Sequence, residues 1–221
     1  MQKILITGGS GTIGKILIPH LLGYGYDVDN YDLLKGDDVF NKDNLVSRCK
    51  NNDIIIHLAA IPHPCLKGVD DDHYWKINYE GTQAVFEAAK LTNIKKFIYL
   101  SSGCVYGFWG GHCKPDQFPI VESNYIPTIE EGLTVYGATK VASEEFLKKN
   151  AKKSNIKVIS LRAEGPGAGG TRIEWINGLQ NLNDKTWKAT KPSFHFFARI
   201  SIENLFQVFL LSIKRDLNSF Y

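Results

Sequence analysis

Apolar runs of strand length alternate with helix-period segments from the start of the chain. Lys3 to Thr7 reads as a buried strand, Ile13 to Leu22 as a helix, Asp53 to Leu58 as a strand, Gly81 to Leu91 as a helix and Lys96 to Leu100 as a strand. Tyr136 to Asn150 then has helical spacing, and Lys157 to Leu161 again reads as a strand. Strands that are apolar along their length, rather than alternating, have both faces covered. The order therefore predicts an α/β fold, a Rossmann-type doubly wound parallel sheet between two helical layers. Asp27 to Asp32 is diluted by Asp27, Asp29 and Asn30, but its place after the first helix makes it a strand too. Past about residue 163 the pattern changes to a Gly-rich turn, a helix around Ile173 to Asn181, a polar stretch and a last apolar helix from about Glu203 to Lys214. The expected division is a sheet-containing domain over residues 1–163 and a short substrate-facing lobe over 164–221.

Composition narrows the class. The chain has 221 residues, 43% of them hydrophobic, enough for a core that needs no metal or disulfide. Lys plus Arg exceed Asp plus Glu by only 26 to 23, and the basic residues are scattered, so nucleic acid is not the expected partner. Cys49, Cys65, Cys104 and Cys113 form no C-x-x-C pair and no zinc array, and read as reduced thiols of a cytoplasmic protein without a metal. Lys3 to Ile6 is too short for a signal peptide. Leu205 to Ile213, broken by Gln207 and Ser212, falls short of the ~20 residues of a membrane span. A soluble chain with no membrane partner is expected.

Thr7-Gly8-Gly9-Ser10-Gly11-Thr12-Ile13-Gly14 follows the first strand and opens the first helix, with Gly8, Gly11 and Gly14 spaced as G-x-x-G-x-x-G. Such a turn lets backbone approach a pyrophosphate, while the first helical amides, at Thr12 and Ile13, and the helix dipole stabilise its charge. Asp32, at the end of the second strand, suits both hydroxyls of an adenosine ribose and would repel a 2′-phosphate, which favours NAD over NADP. Gly36-Asp37-Asp38-Val39 reads either as a short third strand whose Asp38 carboxylate meets the adenine amino group, or as a solvated acidic turn. Leu58, Ala59 and Ala60 offer close backbone approach to a cofactor, or only tight packing.

Tyr136 and Lys140 stand four residues apart, hence on one helical face. A phenol titrating near ~10 is a poor base at neutral pH, but an ammonium beside it favours the phenolate. Ser101 and Ser102 close an apolar strand where the ligand crevice of a parallel sheet opens. Ser102 can then bond the substrate oxygen that Tyr136 deprotonates, or cap local amides. Asn78 adds an amide at an expected helix start, either orienting the lysine or capping the helix.

These elements resemble the extended short-chain dehydrogenase/reductase superfamily, in its NAD-dependent epimerase/dehydratase family. The resemblance rests on TGGSGTIG, Asp32, HLAA, N-x-x-G-T, S-S-x-x-V-Y-G and Y-x-x-x-K, in the family's order, from residue 4 to about 162. It implies Tyr136 as acid/base, Lys140 as the group that lowers its pKa and binds the nicotinamide ribose, and Ser102 as the substrate hydroxyl partner. It also implies cofactor contacts at Gly8, Gly11, Gly14 and Asp32, with NAD as cofactor, a sugar or nucleotide sugar as substrate, and possible homodimers through the helices at 81–91 and 136–150.

Departures from the family refine this. Sugar dehydratases carry an Asp and a Glu after the Ser/Thr, where this chain has Gly103 and Cys104, so dehydration is not expected. Epimerisation of a nucleotide sugar is the first expectation, with Cys104 touching substrate. The family's diphosphate-pairing Arg falls at Phe197, with Arg172 or Arg199 as substitutes. Uronate and sugar dehydrogenases also fit, around Ala59 to Pro64 and Tyr106 to Phe108, with Arg172 or His63 holding a carboxylate. A silent dinucleotide-binding relative is the third alternative, against which the retained Ser102, Tyr136 and Lys140 argue. The chain is shorter than such relatives past the last helix, so the substrate half is expected to be curtailed.

Overall fold

The computed structural model describes residues 1–62, 68–107, 120–163 and 200–215. Among them, strands β1 (Lys3–Thr7), β2 (Asp27–Tyr31), β3 (Ile54–His57), β4 (Lys96–Ser102) and β5 (Lys157–Ala163) form one all-parallel sheet in the order β2-β1-β3-β4-β5. The described helices are α1 (Thr12–Gly23), α2 (Lys42–Lys50), α3 (Asp71–Tyr74), α4 (Gly81–Lys90), α5 (Val135–Ala151) and α6 (Ile202–Lys214).

The continuous apolar strands serve two cores. Leu5, Ile55, Phe97, Tyr99 and Val158 point to one face, where Leu45 and Cys49 of α2, Val85 and Phe86 of α4, and Leu147 of α5 cover them. Ile4, Ile6, Ile54, Ile56, Ile98 and Ile159 point to the other, covered by Leu17 and Leu21 of α1 and by Leu205, Phe209 and Leu210 of α6. Successive strand residues alternate faces, so only uninterrupted apolar strands satisfy both layers. The polar residues that dilute β2 are employed as well: Asp29 accepts from Arg48 Nε of α2 at 2.8 Å, and Asn30 Nδ2 donates to Ser10 Oγ at 3.3 Å.

Helix α6 lies against the sheet, although the sequence reading groups it with the lobe beyond 163. The buried Lys96 ammonium, at the start of β4, donates to the carbonyls of Ser212, Ile213 and Arg215 at 2.7, 2.6 and 2.7 Å. It thereby satisfies the end of α6.

Of the two readings of residues 36–39, the structure shows the exposed acidic turn and no third strand. Leu33–Lys35 is a 3₁₀ turn capped by Asp32 and closed by Gly36 at φ 84°, after which Asp38 Oδ1 accepts from Phe40 N and Asn41 caps α2. Short acidic and amide side chains satisfy this backbone locally, which competes with a ladder. The helix expected from Gly81 is present as α4, but helical structure begins well upstream of it, so Asn78 does not stand at a helix start. The helical structure starts after Asp70, whose carboxylate accepts from His73 N at 2.9 Å, and continues through a π-helical stretch, Trp75–Glu80, into α4. Asn78 therefore sits inside helical structure and caps nothing.

Candidate functional site

The chain steps from β1 to β2 on one side and to β3 on the other, so the sheet's topological switch point lies between β1 and β3. Gly8 leaves β1 there at φ 73°, and a Cβ on it would fall 2.6 Å from Ala59 N, so the glycine loop runs against the backbone that follows β3. A Cβ on Gly14 would lie 2.3 Å from Gly9 O, which fixes the contact between loop and helix. Gly11 is exposed and meets only Gly8 O, at 3.2 Å. Helix α1 opens with no side-chain cap and no acid in its first turn, leaving the amides from Thr12 onward and the positive helix end suited to an anion.

At the tip of β2, buried Asp32 accepts Ser10 N on one carboxylate oxygen and Leu34 N on the other, both at 2.9 Å. The carboxylate is thus held beside the loop, and each oxygen keeps a lone pair for a hydroxyl. Asp38 is exposed and bonded to its own turn. Leu58, Ala59 and Ala60 are half-buried after β3.

Helix α5 starts at the Thr134 cap, whose Oγ1 accepts from Gly137 N at 3.1 Å. A Cβ on Gly137 would meet Cys104 O at 2.9 Å, so this glycine seats the first turn of α5 against the 3₁₀ turn Gly103–Tyr106. That contact brings half-buried Tyr136 to the end of β4. Ser102 Oγ accepts from Cys104 N at 3.1 Å, so the hydroxyl caps this turn while its own proton stays available for donation. Ser101 Oγ, buried on the other face of β4, has no hydrogen-bond partner among the described residues.

Lys140 is buried, and its Nζ donates to Leu100 O at 3.0 Å. The ammonium stands 4.9 Å from the centre of the Tyr99 ring and 5.8 Å from that of Tyr136. Burial brings its pKa down to about 8, a fall that Glu144 and Cys104 oppose. The Tyr136 ring also meets Tyr74 edge-on, 6.4 Å between centres.

A buried polar layer supports these groups from behind. Thr82 Oγ1 donates to Asn78 O at 2.6 Å, which leaves His57 Nε2 as donor to Thr82 (3.0 Å) and Nδ1 as acceptor from Thr7 Oγ1 (2.6 Å). Desolvation holds His57 neutral, its pKa pushed down to about 3. The Asn78 amide clamps Ile61, accepting from its N at 2.7 Å and donating to its O at 3.2 Å, and also donates to Thr139 Oγ1 at 3.4 Å. Asn78 thus ties the segment after β3 to the helix that carries Tyr136 and Lys140.

Gly8, Gly11, Gly14 and Asp32 accordingly gather at the carboxyl ends of β1 and β2, and Ser101, Ser102, Cys104, Tyr136 and Lys140 at the carboxyl end of β4. Arg172, Arg199, His63, Phe197, Cys65, Cys113 and the helix expected at 173–181 lie outside the described residues. The sequence assigns no role to Tyr99, Glu144 or Arg162, nor to His57 within its HLAA motif, because the partners of each lie on other elements. Among the described residues no group of His, Cys, Asp and Glu is arranged to hold a metal, and no helix is long and apolar enough to cross a membrane.

The glycine cradle, the anion-suited helix start, the fixed ribose-type carboxylate and the orphaned Ser101 hydroxyl together fit a dinucleotide. Fold and site define a Rossmann-type protein of the short-chain dehydrogenase/reductase superfamily. More narrowly, the chain belongs to the NAD dependent epimerase/dehydratase family, whose profile matches residues 4–172, and NAD is its cofactor. It is 27% identical over 176 residues to a UDP-glucose 4-epimerase of Streptomyces lividans, covering 72% of this chain and 50% of that protein. It is 25% identical over 172 residues to an L-arabinose 1-dehydrogenase (NAD(P)(+)) of Haloferax volcanii, covering 73% and 66%. The chain spans about half the length of the first curated relatives it matches. The structure of UDP-glucuronic acid 4-epimerase from Bacillus cereus, in complex with UDP-glucuronic acid and NAD, is similar with a TM-score of 0.78 at 26% identity, covering 98% of this chain and 74% of that one.

Proposed function

We propose that this chain is a NAD-dependent sugar oxidoreductase whose reaction is epimerisation of a nucleotide sugar through a keto intermediate. The observation that carries this reading is the buried Lys140 ammonium beside the Tyr136 ring at the carboxyl end of β4. Residues 1–163 form the cofactor half, with Gly8, Gly11, Gly14 and the amides of Thr12 and Ile13 at the pyrophosphate and Asp32 at the adenosine ribose. Ser101, Asn78 and the backbone of Leu58 to Ala60 line the nicotinamide end. When bound, NAD accepts a hydride from the sugar carbon.

The chain's own residues handle the proton. Lys140 favours the Tyr136 phenolate, which removes the sugar hydroxyl proton as the carbon–hydrogen bond breaks. Ser102 donates to the same oxygen and orients it. Tyr136 would reprotonate the oxygen when the bound cofactor gave the hydride back to the opposite face of the ketone, which would invert the carbon with no net redox change. The Gly103 and Cys104 pair offers no carboxylate for water elimination, which argues against dehydration.

The second reading, one-way oxidation of a free sugar, draws on the likeness to the L-arabinose 1-dehydrogenase. Nicotinamide absorbance separates the two. An epimerase converts UDP-sugars, dTDP-sugars or GDP-sugars with no net reduced cofactor, whereas a dehydrogenase accumulates one reduced nicotinamide per sugar consumed. Dehydration products from a nucleotide sugar would overturn both.

A further inference from the structure

The proton chemistry above leaves one buried ion pair unused. Arg162, near the end of β5, lays its fork on Glu144 of α5: Nε lies 3.1 Å from each carboxylate oxygen and Nη2 is 2.6 Å from Oε2. Ser160 Oγ donates to the same carboxylate at 3.1 Å. Arg162 Nη1 reaches Tyr106 OH at 2.6 Å and the Glu122 carbonyl at 3.3 Å. Both side chains are nearly enclosed, at 7% and 8% exposure. A pair this deep contributes little net stability over apolar residues of the same volume, so its position invites another explanation.

Glu144 follows Lys140 by one helical turn, and both lie on the buried face of α5. Among the described residues, the rings of Tyr99 from β4 and Tyr136 from α5 stand over the ammonium, and the other titratable groups whose charge acts with it are Glu144 from α5, Cys104 from the turn after β4 and His57 from β3. Burial keeps the Tyr99 phenol protonated and His57 uncharged, so Glu144 is the carboxylate among them. Its charge is shared with Arg162, whose other arm holds the turn containing Cys104 and Tyr106.

We propose that Glu144 and Arg162 are positioning residues that act as a matched pair: Glu144 holds Lys140 in its ammonium form, and Arg162 sets how much of that carboxylate's field Lys140 feels. The inference rests on the role given to Lys140 above. Neutralising Glu144 exposes Lys140 to an unbalanced guanidinium, whereas neutralising Arg162 leaves it an unbalanced carboxylate. The two substitutions therefore act on Lys140 with opposite signs.

The test is direct titration of Lys140 in the cofactor-free protein, by NMR of ¹³Cε-labelled lysine with the signal assigned through K140R. In E144Q the midpoint is expected about one pH unit below wild type, in R162M about one unit above, and in E144Q/R162M close to wild type. E144D and R162K keep both charges but shorten one reach each, and show smaller shifts of the same two signs should a neutral single variant not fold. An unchanged midpoint in all folded variants, or shifts of one sign for both partners, overturns the proposal. The readout is independent of turnover. A chain that binds NAD yet converts no sugar refutes the functional reading while leaving the order of midpoints to stand or fall alone.

Discussion

Lys140 Nζ donates to the Leu100 carbonyl at 3.0 Å, which bonds the ammonium of α5 to the strand that ends in Ser101 and Ser102. The bond holds the charge at the crevice, between the rings of Tyr99 and Tyr136.

With Lys140 brought down to about 8 by burial, the ammonium predominates below that pH and the amine above it. Since the Tyr136 phenolate needs the cation, kcat/KM is expected to fall as pH rises through about 8, and Lys140→Met to lose at least ~100-fold at neutral pH. A flat profile across this range, with K140M active, contradicts the assignment.

His57 governs acid stability. Its folded pKa, about 3, lies below the ordinary 6.5. On acidification the unfolded chain takes up this proton first, so the contribution to stability is present above 6.5 and is lost progressively as pH falls from 6.5 toward 3. Urea unfolding of wild type and His57→Asn across this window checks it. Wild type is expected to lose stability more steeply, and parallel slopes would show that His57 is not the source.

The glycines of the loop separate by role. Gly8→Ala places a Cβ at φ 73° and 2.6 Å from Ala59 N, and is expected to destabilise the fold by at least about 2 kcal/mol as well as weaken NAD binding. Gly11→Ala meets only Gly8 O at 3.2 Å, so the fold should survive while NAD binding weakens. Thermal melting with and without NAD distinguishes the pair, and equal melting temperatures for both variants would refute the division.

Lys96→Met removes the donor to three carbonyls at the end of α6. The expected loss is roughly 2–3 kcal/mol, concentrated in α6, because its last turn is left unsatisfied. Amide hydrogen exchange should show faster exchange in 205–214 than elsewhere; uniform acceleration would mean that the lysine supports the whole sheet instead.

Much of this was legible in the chain because the signals are local. Ile4, Leu5 and Ile6, or Ile54, Ile55 and Ile56, are short, mostly β-branched apolar runs placed in regular alternation with helical segments, which marks strands with both faces covered, and the spacing of Tyr136 and Lys140 fixes their shared helical face. Helix α2 escaped because it buries only Leu45 and Cys49 among polar neighbours, too few for a visible period. Asn78 was misplaced since the acidic start at Asp70 lies far upstream of the apolar stretch that marks α4. The three carbonyls on Lys96, the fork of Arg162 on Glu144 and the Tyr99 platform under Lys140 join residues distant in sequence or on different elements, and no spacing rule announces them.

Turnover and NAD affinity of Tyr136→Phe beside wild type, on a panel of UDP-, dTDP- and GDP-sugars and free uronates, test the central claim most directly. Loss of the phenol hydroxyl is predicted to abolish conversion of whichever sugar the wild type accepts while NAD binds with nearly unchanged affinity. Conversion by the variant at the wild-type rate would contradict Tyr136 as the group that moves the proton, and with it the proposed chemistry.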